Sequence, residues 1–262
     1  RIIIIGIRND LNSSPSELKM ERPIALEKVL SGLPALRSGL SKTKDGESAW
    51  IHAVRKIGLS TLMNEKNSPQ FTKPFSKFLK DLGCEGTSRG GEFVKSENID
   101  CLHEKKWFLD KRIGGACNHS TRSHLEEDLH RYFFASTFAK AHGHSPKLEN
   151  FPPSLLPNHK NTQRALAKGL FNDRFRVQVG GRPATTVTSH ISKDGHYFIH
   201  PDPTQSRSLT VREAARLQTF PDNYFFCGPR TSQYVQVGNA VPPLLARKIA
   251  RSLYECLLAS WG

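Results

Sequence analysis

The stretch "RSLTVREAARLQTFPD", Arg207 to Asp222, decides how the rest of the chain is read. Thr210 and Glu213 stand at the spacing of a capping box, in which the threonine oxygen accepts from the third amide and the glutamate reaches back to the cap amide. That predicts a helix beginning at Val211. At about 100° per residue, Val211, Ala214, Ala215 and Leu217 fall in one arc, while Arg212 and Arg216 stand together on the other side. Pro221 cannot continue the helix. The expectation is a short element, apolar on one face and doubly cationic on the other, and a plain surface helix with solvated arginines would read the same way.

Composition narrows the choice of partner. The 262 residues make one large domain or two small ones. Against 24 acidic residues stand 38 basic ones, a formal net charge of +14 with a pI near 9.8. A surplus of that sign calls for a polyanion, nucleic acid before anionic membrane. The sequence carries no apolar run of about 18 residues, and "RIIIIGI" at Arg1 to Ile7 is far too short to span a bilayer, so a soluble protein with no membrane partner is expected. Five scattered cysteines, Cys84, Cys101, Cys117, Cys227 and Cys256, fit free thiols in a reducing compartment. Cys101, His103, Cys117 and His119, with Cys84 and His124 nearby, are metal-ligand types, but they lack a C-x-x-C pair and no metal site is expected.

Along the chain, Arg1 to Ile7 has the continuous β-branched character of a strand buried on both faces of an α/β sheet. Helical patterns follow at Glu21 to Leu30 and Ser48 to Ile57, and the Gly-rich segment from Asp81 to Asp100 reads as loop. Ser123 with Glu126 forms a second capping-box pattern before a longer helix striped by Leu125, Leu129, Tyr132 or Phe133 and Phe138, and closed by Gly143. A proline-broken connection leads to a helix expected at Thr162 to Lys168. Then "RFRVQV" (174–179), "ATTVTSHI" (184–191) and "HYFI" (196–199) alternate as strands. The final helix opens at Pro242-Pro243 and carries Leu245, Ile249, Leu253 and Leu257 at helical spacing.

Three segments together resemble a known family. "RIIIIGIRND" is similar to the eighth motif of the bacterial DNA cytosine-5 methyltransferases, "RPATTVTSH" through "RSLTVREAARLQTFPD" to the ninth, and "QYVQVGNAVPP" to the tenth. The resemblance covers the first ten residues and roughly the last eighty. It implies methyl transfer from S-adenosylmethionine to carbon 5 of a cytosine flipped out of double-stranded DNA, in a bacterial cytoplasmic, nucleoid-associated setting of restriction and modification. The family's nucleophile is a cysteine after proline, yet the residues preceding the five cysteines are Gly83, Asp100, Ala116, Phe226 and Glu255. Glu97-Asn98-Ile99 imitates the family's Glu-Asn-Val motif but lies downstream of the eighth motif rather than upstream. The glycine pairs at Gly90, Gly114 and Gly180 build no cofactor loop.

The expectation is therefore an α/β fragment of an adenosylmethionine-dependent methyltransferase fold, its Rossmann-like domain incomplete, with an irregular α+β target-recognition domain. Residues 1–11 would end the catalytic domain, 12–220 would form the recognition domain, and 221–262 would return to the catalytic domain. The missing upstream catalytic region, fused or separate, becomes a partner, and the chain alone is expected to be inactive; the alternative is a DNA-binding specificity subunit without catalysis of its own. By resemblance Arg1 reaches toward the flipped cytosine, Asn239 and Ala240 close the S-adenosylmethionine pocket, and Arg182, Thr186, Thr188 and Ser189 enter DNA contact. The turn before Pro242-Pro243 also promises free backbone amides for a ligand. Arg207, Arg212, Glu213 and Arg216 belong to the ninth motif, and Arg212 and Arg216 are expected to brace loops rather than touch phosphate.

Overall fold

A computed structural model describes residues 2–11, 13–57, 69–84, 88–158, 162, 169 and 172–260. Arg1 and all of the expected Thr162–Lys168 helix except Thr162 lie outside the described residues. The elements in order are α1 (Leu26–Leu30), β1 (Gly39–Leu40), α2 (Glu47–Arg55), α3 (Pro69–Asp81), β2 (Gly90–Lys95), α4 (Lys105–Phe108), β3 (Gly115–Ser120), β4 (Ser123–His124), α5 (Glu126–His142), α6 (Val211–Leu217), α7 (Arg230–Asn239) and α8 (Pro243–Ser260), joined by short 3-10 turns. None of the helices among the described residues is long and apolar enough to cross a membrane.

Among the described residues two large apolar cores and a smaller cluster of Val29, Cys101 and Phe108 form. In the first, α5 buries Leu129, Tyr132, Phe133 and Phe134 against Trp50 and Val54 of α2 and Phe71 and Phe75 of α3. Phe75 meets Phe133 edge-on at 5.0 Å, the geometry favoured by aromatic quadrupoles. Three acidic residues in the first turn of α5 and Lys140 and His142 in its last complement the helix dipole. The Ser123–Glu126 capping box is not formed. Ser123 pairs in parallel with Gly39 and its hydroxyl accepts from Arg89 Nη2 at 3.0 Å, so Leu125 becomes the cap. The second core wraps α6: Val211, Ala214 and Ala215 pack with Val187, Ile191, Phe198, Phe226, Tyr234 and Val237.

Four further expectations are corrected. The Asp81–Asp100 segment contains β2, paired antiparallel with β3; Gly90 takes φ 68° where an added Cβ would stand 1.9 Å from the His119 carbonyl oxygen, so the glycine there serves a close strand approach. The Glu21–Leu30 helix shrinks to Leu26–Leu30. Segment 184–191 forms no strand and ends in a 3-10 turn, Ser189–Ser192. Segments 174–179 and 196–199 form no strand pair; they share the isolated bridge Val177–Ile199 and a bond from the Arg176 amide to the His196 carbonyl at 2.8 Å. The reason is one buried side chain: Gln178 accepts the Thr185 amide at 3.0 Å and donates to the Tyr197 carbonyl at 3.0 Å, doing with a carboxamide what a ladder would do with backbone.

The isoleucine run belongs to no sheet among the described residues, since no strand lies beside it to complete a ladder. Ile2 and Ile4 are about nine-tenths exposed, whereas Ile3 and Ile5 line an apolar groove of about 370 Å³ with Leu18, Leu245 and Ile249 of α8. Ser16 and Ser252 stitch this segment to α8, the Ser252 hydroxyl donating to the Ser16 carbonyl at 2.7 Å.

Candidate nucleic-acid interface

The helix α6 forms with its capping box: Glu213 N–H donates to Thr210 Oγ1 at 3.2 Å and Thr210 N–H to Glu213 Oε2 at 2.7 Å. Its second face is not solvated. Arg212 and Arg216 are fully buried and Arg207 nearly so. The face opposite the apolar arc meets protein, because segments far off in sequence supply carbonyl oxygens around it. Arg212 donates from Nε to the Cys117 carbonyl at 2.8 Å and from its terminal nitrogens to the carbonyls of Pro221 and Tyr224. Arg216 donates from Nη1 to the carbonyls of Val29, Ser31 and Asp100, and from Nε and Nη2 to Asp222. Arg207 grips both oxygens of Glu213 at 2.7 Å and the carbonyl of Leu36. Buried guanidiniums paired and bonded at this density act as fasteners. Burial pulls Arg212 below its ordinary range. Glu213, despite burial, is held far below the usual carboxylate range by Arg207.

Past the helix, Gln218 donates from Nε2 to the carbonyls of Val187 at 3.4 Å and Val237 at 2.9 Å. It ties the segment expected to face DNA to the helix expected to end at the cofactor. Gly238 makes the same junction sterically: a Cβ there would stand 2.3 Å from the Ser189 nitrogen. Thus Thr188 and Ser189 are brought against α7 within one or two residues of Asn239 and Ala240. Arg182, Thr186 and Thr188 are exposed and Ser189 half-buried. Thr186 and Thr188 line a depression of about 320 Å³ with Arg176, Thr185, His190, Tyr197 and Phe198. Arg182 lies apart, beside Glu27 and Lys140 in another recess, so the structure gathers the threonines but not the arginine.

Two of the amides at the turn into α8 are bonded within the protein. The Ala240 amide donates to the Gln236 carbonyl at 3.1 Å, the Leu244 amide to Thr219 Oγ1 at 3.1 Å, and the two prolines have no N–H. What Asn239 presents outward is its exposed side chain, a carboxamide able to donate and accept.

The histidines and cysteines near 101–124 have structural partners. Cys101 Sγ donates to the His103 carbonyl at 3.0 Å, and His119 bonds the Thr210 hydroxyl at 3.0 Å and the Pro34 carbonyl at 2.8 Å. Among the described residues no group of three or more His, Cys, Asp or Glu side chains gathers as a metal site would require. Burial drives His119 down to about 4, His124 to about 3 and His200 to about 4, so all three stand neutral at pH 7. Sequence reasoning missed Gln178, Gln218, Arg176 and Tyr197. In "VQV" the lone Gln178 between valines reads as an outward strand residue, and only the fold turns it inward.

A capped helix locks distant backbone in place beside exposed threonines, in a chain of net charge +14. The chain belongs to the C-5 cytosine-specific DNA methylase family, whose model matches residues 1–255. It is 45% identical over 166 residues to the type II methyltransferase M.Bpa9945I of Bacillus paralicheniformis, covering 63% of this chain and 36% of that protein. To the type II methyltransferase M1.HphI of Haemophilus parahaemolyticus it is 34% identical over 220 residues, 75% of this chain and 54% of that one. Mouse DNA (cytosine-5)-methyltransferase 1 matches at 42% over 110 residues, 41% of this chain and 6% of that protein. The chain thus spans between about a third and a half of the length of the two bacterial relatives.

Proposed function

We propose that the chain recognises double-stranded DNA and completes the S-adenosylmethionine site for methyl transfer to carbon 5 of a flipped cytosine, within bacterial restriction and modification. The single observation that carries this reading is the junction at Gly238 and Gln218, which fixes the Thr186–Ser189 segment against the turn at Asn239 and Ala240. Such a junction keeps a DNA-facing surface and a cofactor-facing turn in one rigid register, which methyl transfer between two ligands requires. In this reading Thr186, Thr188 and Ser189 bond phosphate and base edges, and Arg182 extends the contact. The Asn239 carboxamide and Ala240 form one wall for S-adenosylmethionine, which when bound supplies the methyl group. Arg1 reaches toward the cytosine. Residues 1–11 and 221–262 belong to the catalytic domain, and 12–220 to target recognition, braced by Arg207, Arg212, Glu213 and Arg216. The nucleophilic cysteine and the glutamate motif come from sequence outside these 262 residues, because no cysteine here follows a proline.

Labelled S-adenosylmethionine and mixed duplex DNA test the reading. Transfer is expected only when the chain is expressed with a region bearing Pro-Cys and Glu-Asn-Val. Transfer by the chain alone would require a different nucleophile and overturn the division of labour.

A further inference from the structure

A cluster of cations away from the Thr186–Ser189 segment has too few anions. Arg89 Nη2 and Arg230 Nη1 both donate to the Thr121 carbonyl, and Arg122 is the next residue. Arg122 lies over the Tyr234 ring at 4.0 Å and donates to the carbonyls of Ile191 and Lys193, which bound the DNA-facing turn. The nearby carboxylates are committed. Asp45 serves Arg37 as well as Arg89, while Glu92 accepts from Asn118 and Gln233. Neither Arg122 nor Arg230 has a carboxylate within ion-pair distance among the described residues. Arg230 also opens α7, whose first turn holds no acidic residue, so the positive end of that helix adds to the same field. Burial pulls Arg230 below its ordinary range, and the Arg122 and Arg89 charges add to the effect. Three half-buried guanidiniums that have only Asp45 between them, a carboxylate shared with Arg37, are a standing electrostatic cost that a phosphodiester removes.

We propose that Arg89, Arg122 and Arg230, gathered on the Thr121–Ser123 turn, form a second seat for the duplex backbone, separate from the 182–189 segment. The proposal rests on the DNA-recognition reading and extends it. These arginines contribute affinity that is uniform across sequences, while the Thr186 side supplies contacts that distinguish sites.

The test is fluorescence anisotropy of the 262-residue chain on a mixed-sequence duplex between 50 and 200 mM salt, roughly 20 base pairs long, reading the slope of log affinity against log salt. Arg89→Gln and Arg230→Gln are each expected to make the slope shallower by about 0.9, which shrinks the affinity loss across that range about 3.5-fold. Arg230→Lys keeps the charge but not the guanidinium fork, so it separates the roles. A preserved slope in Arg230→Lys supports a phosphate seat, and a slope as shallow as the glutamine variant's overturns it. Native slopes in the glutamine variants overturn the second seat while leaving DNA recognition standing, provided Thr186→Val weakens binding. Salt-independent or absent binding by the unaltered chain overturns both.

Discussion

The carboxylate of Asp222 holds the guanidinium of Arg216 through two parallel bonds, Nε to Oδ1 at 3.0 Å and Nη2 to Oδ2 at 2.6 Å, with both side chains buried. The Phe-Pro-Asp stop after α6 therefore returns its aspartate to the helix it ends. Arg216→Met would take from Asp222 its two-bond partner, leaving Arg212 at 3.9 Å as its remaining cation, and would remove the Arg216 donor to the carbonyls of Val29, Ser31 and Asp100. A loss of about 3–5 kcal/mol is expected, read from the urea midpoint. Arg216→Met with Asp222→Leu should lose less than the sum of the single changes, and strict additivity would show that the pair is not coupled.

Acid should weaken the fold through its buried histidines. His119, His124 and His200 titrate near 4, 3 and 4 in the folded chain against about 6.5 when unfolded. The unfolded state thus binds more protons below pH 6.5, and stability present above that value drains as pH falls toward 4. Between pH 7 and 5 each histidine contributes a loss of up to about 2 kcal/mol. His124→Gln should flatten the dependence of the unfolding midpoint on pH in this window; an unchanged slope would show that His124 is not a source.

Gly238→Ala would drive a methyl group into the backbone at Ser189. The expected cost is about 1–3 kcal/mol as α7 shifts from the 3-10 turn. If the Gly238 junction fixes the DNA-facing segment, duplex affinity should fall further than the melting temperature explains. Native affinity in a destabilised variant would uncouple the two.

Gln178→Leu removes a buried carboxamide and leaves the Thr185 amide and Tyr197 carbonyl unpaired, at about 1–3 kcal/mol. Sequence discrimination should relax because both walls of the Thr186 depression lose their tie. Competition between specific and random duplexes measures this, and an unaltered ratio would place recognition elsewhere.

How much of this was legible follows from the range of each interaction. Thr210 and Glu213 announce the start of α6 because a capping box is closed within four residues. The burial of Arg212 is not announced, since the oxygens it bonds belong to Cys117, Pro221 and Tyr224, one of them 95 residues away. Ile2 to Ile5 have strand composition, yet a strand exists only with a neighbour, and composition does not supply one. The alternation in 184–191 was equally genuine: Val187 and Ile191 do turn inward, but Gln178 takes the place of a sheet partner. Motif resemblance singled out the threonines and the 239–240 turn, which the fold places side by side at Gly238, whereas Arg176, Tyr197 and the Arg89, Arg122 and Arg230 cluster come together only through tertiary packing.

The three arginines of the ninth-motif stretch reach eight main-chain oxygens, among them those of Leu36, Val29, Asp100 and Cys117. Every residue type carries that oxygen. Side chains at those positions can be exchanged without unfastening the anchor, so the segments around α6 can vary by substitution while their attachment to the helix stays the same.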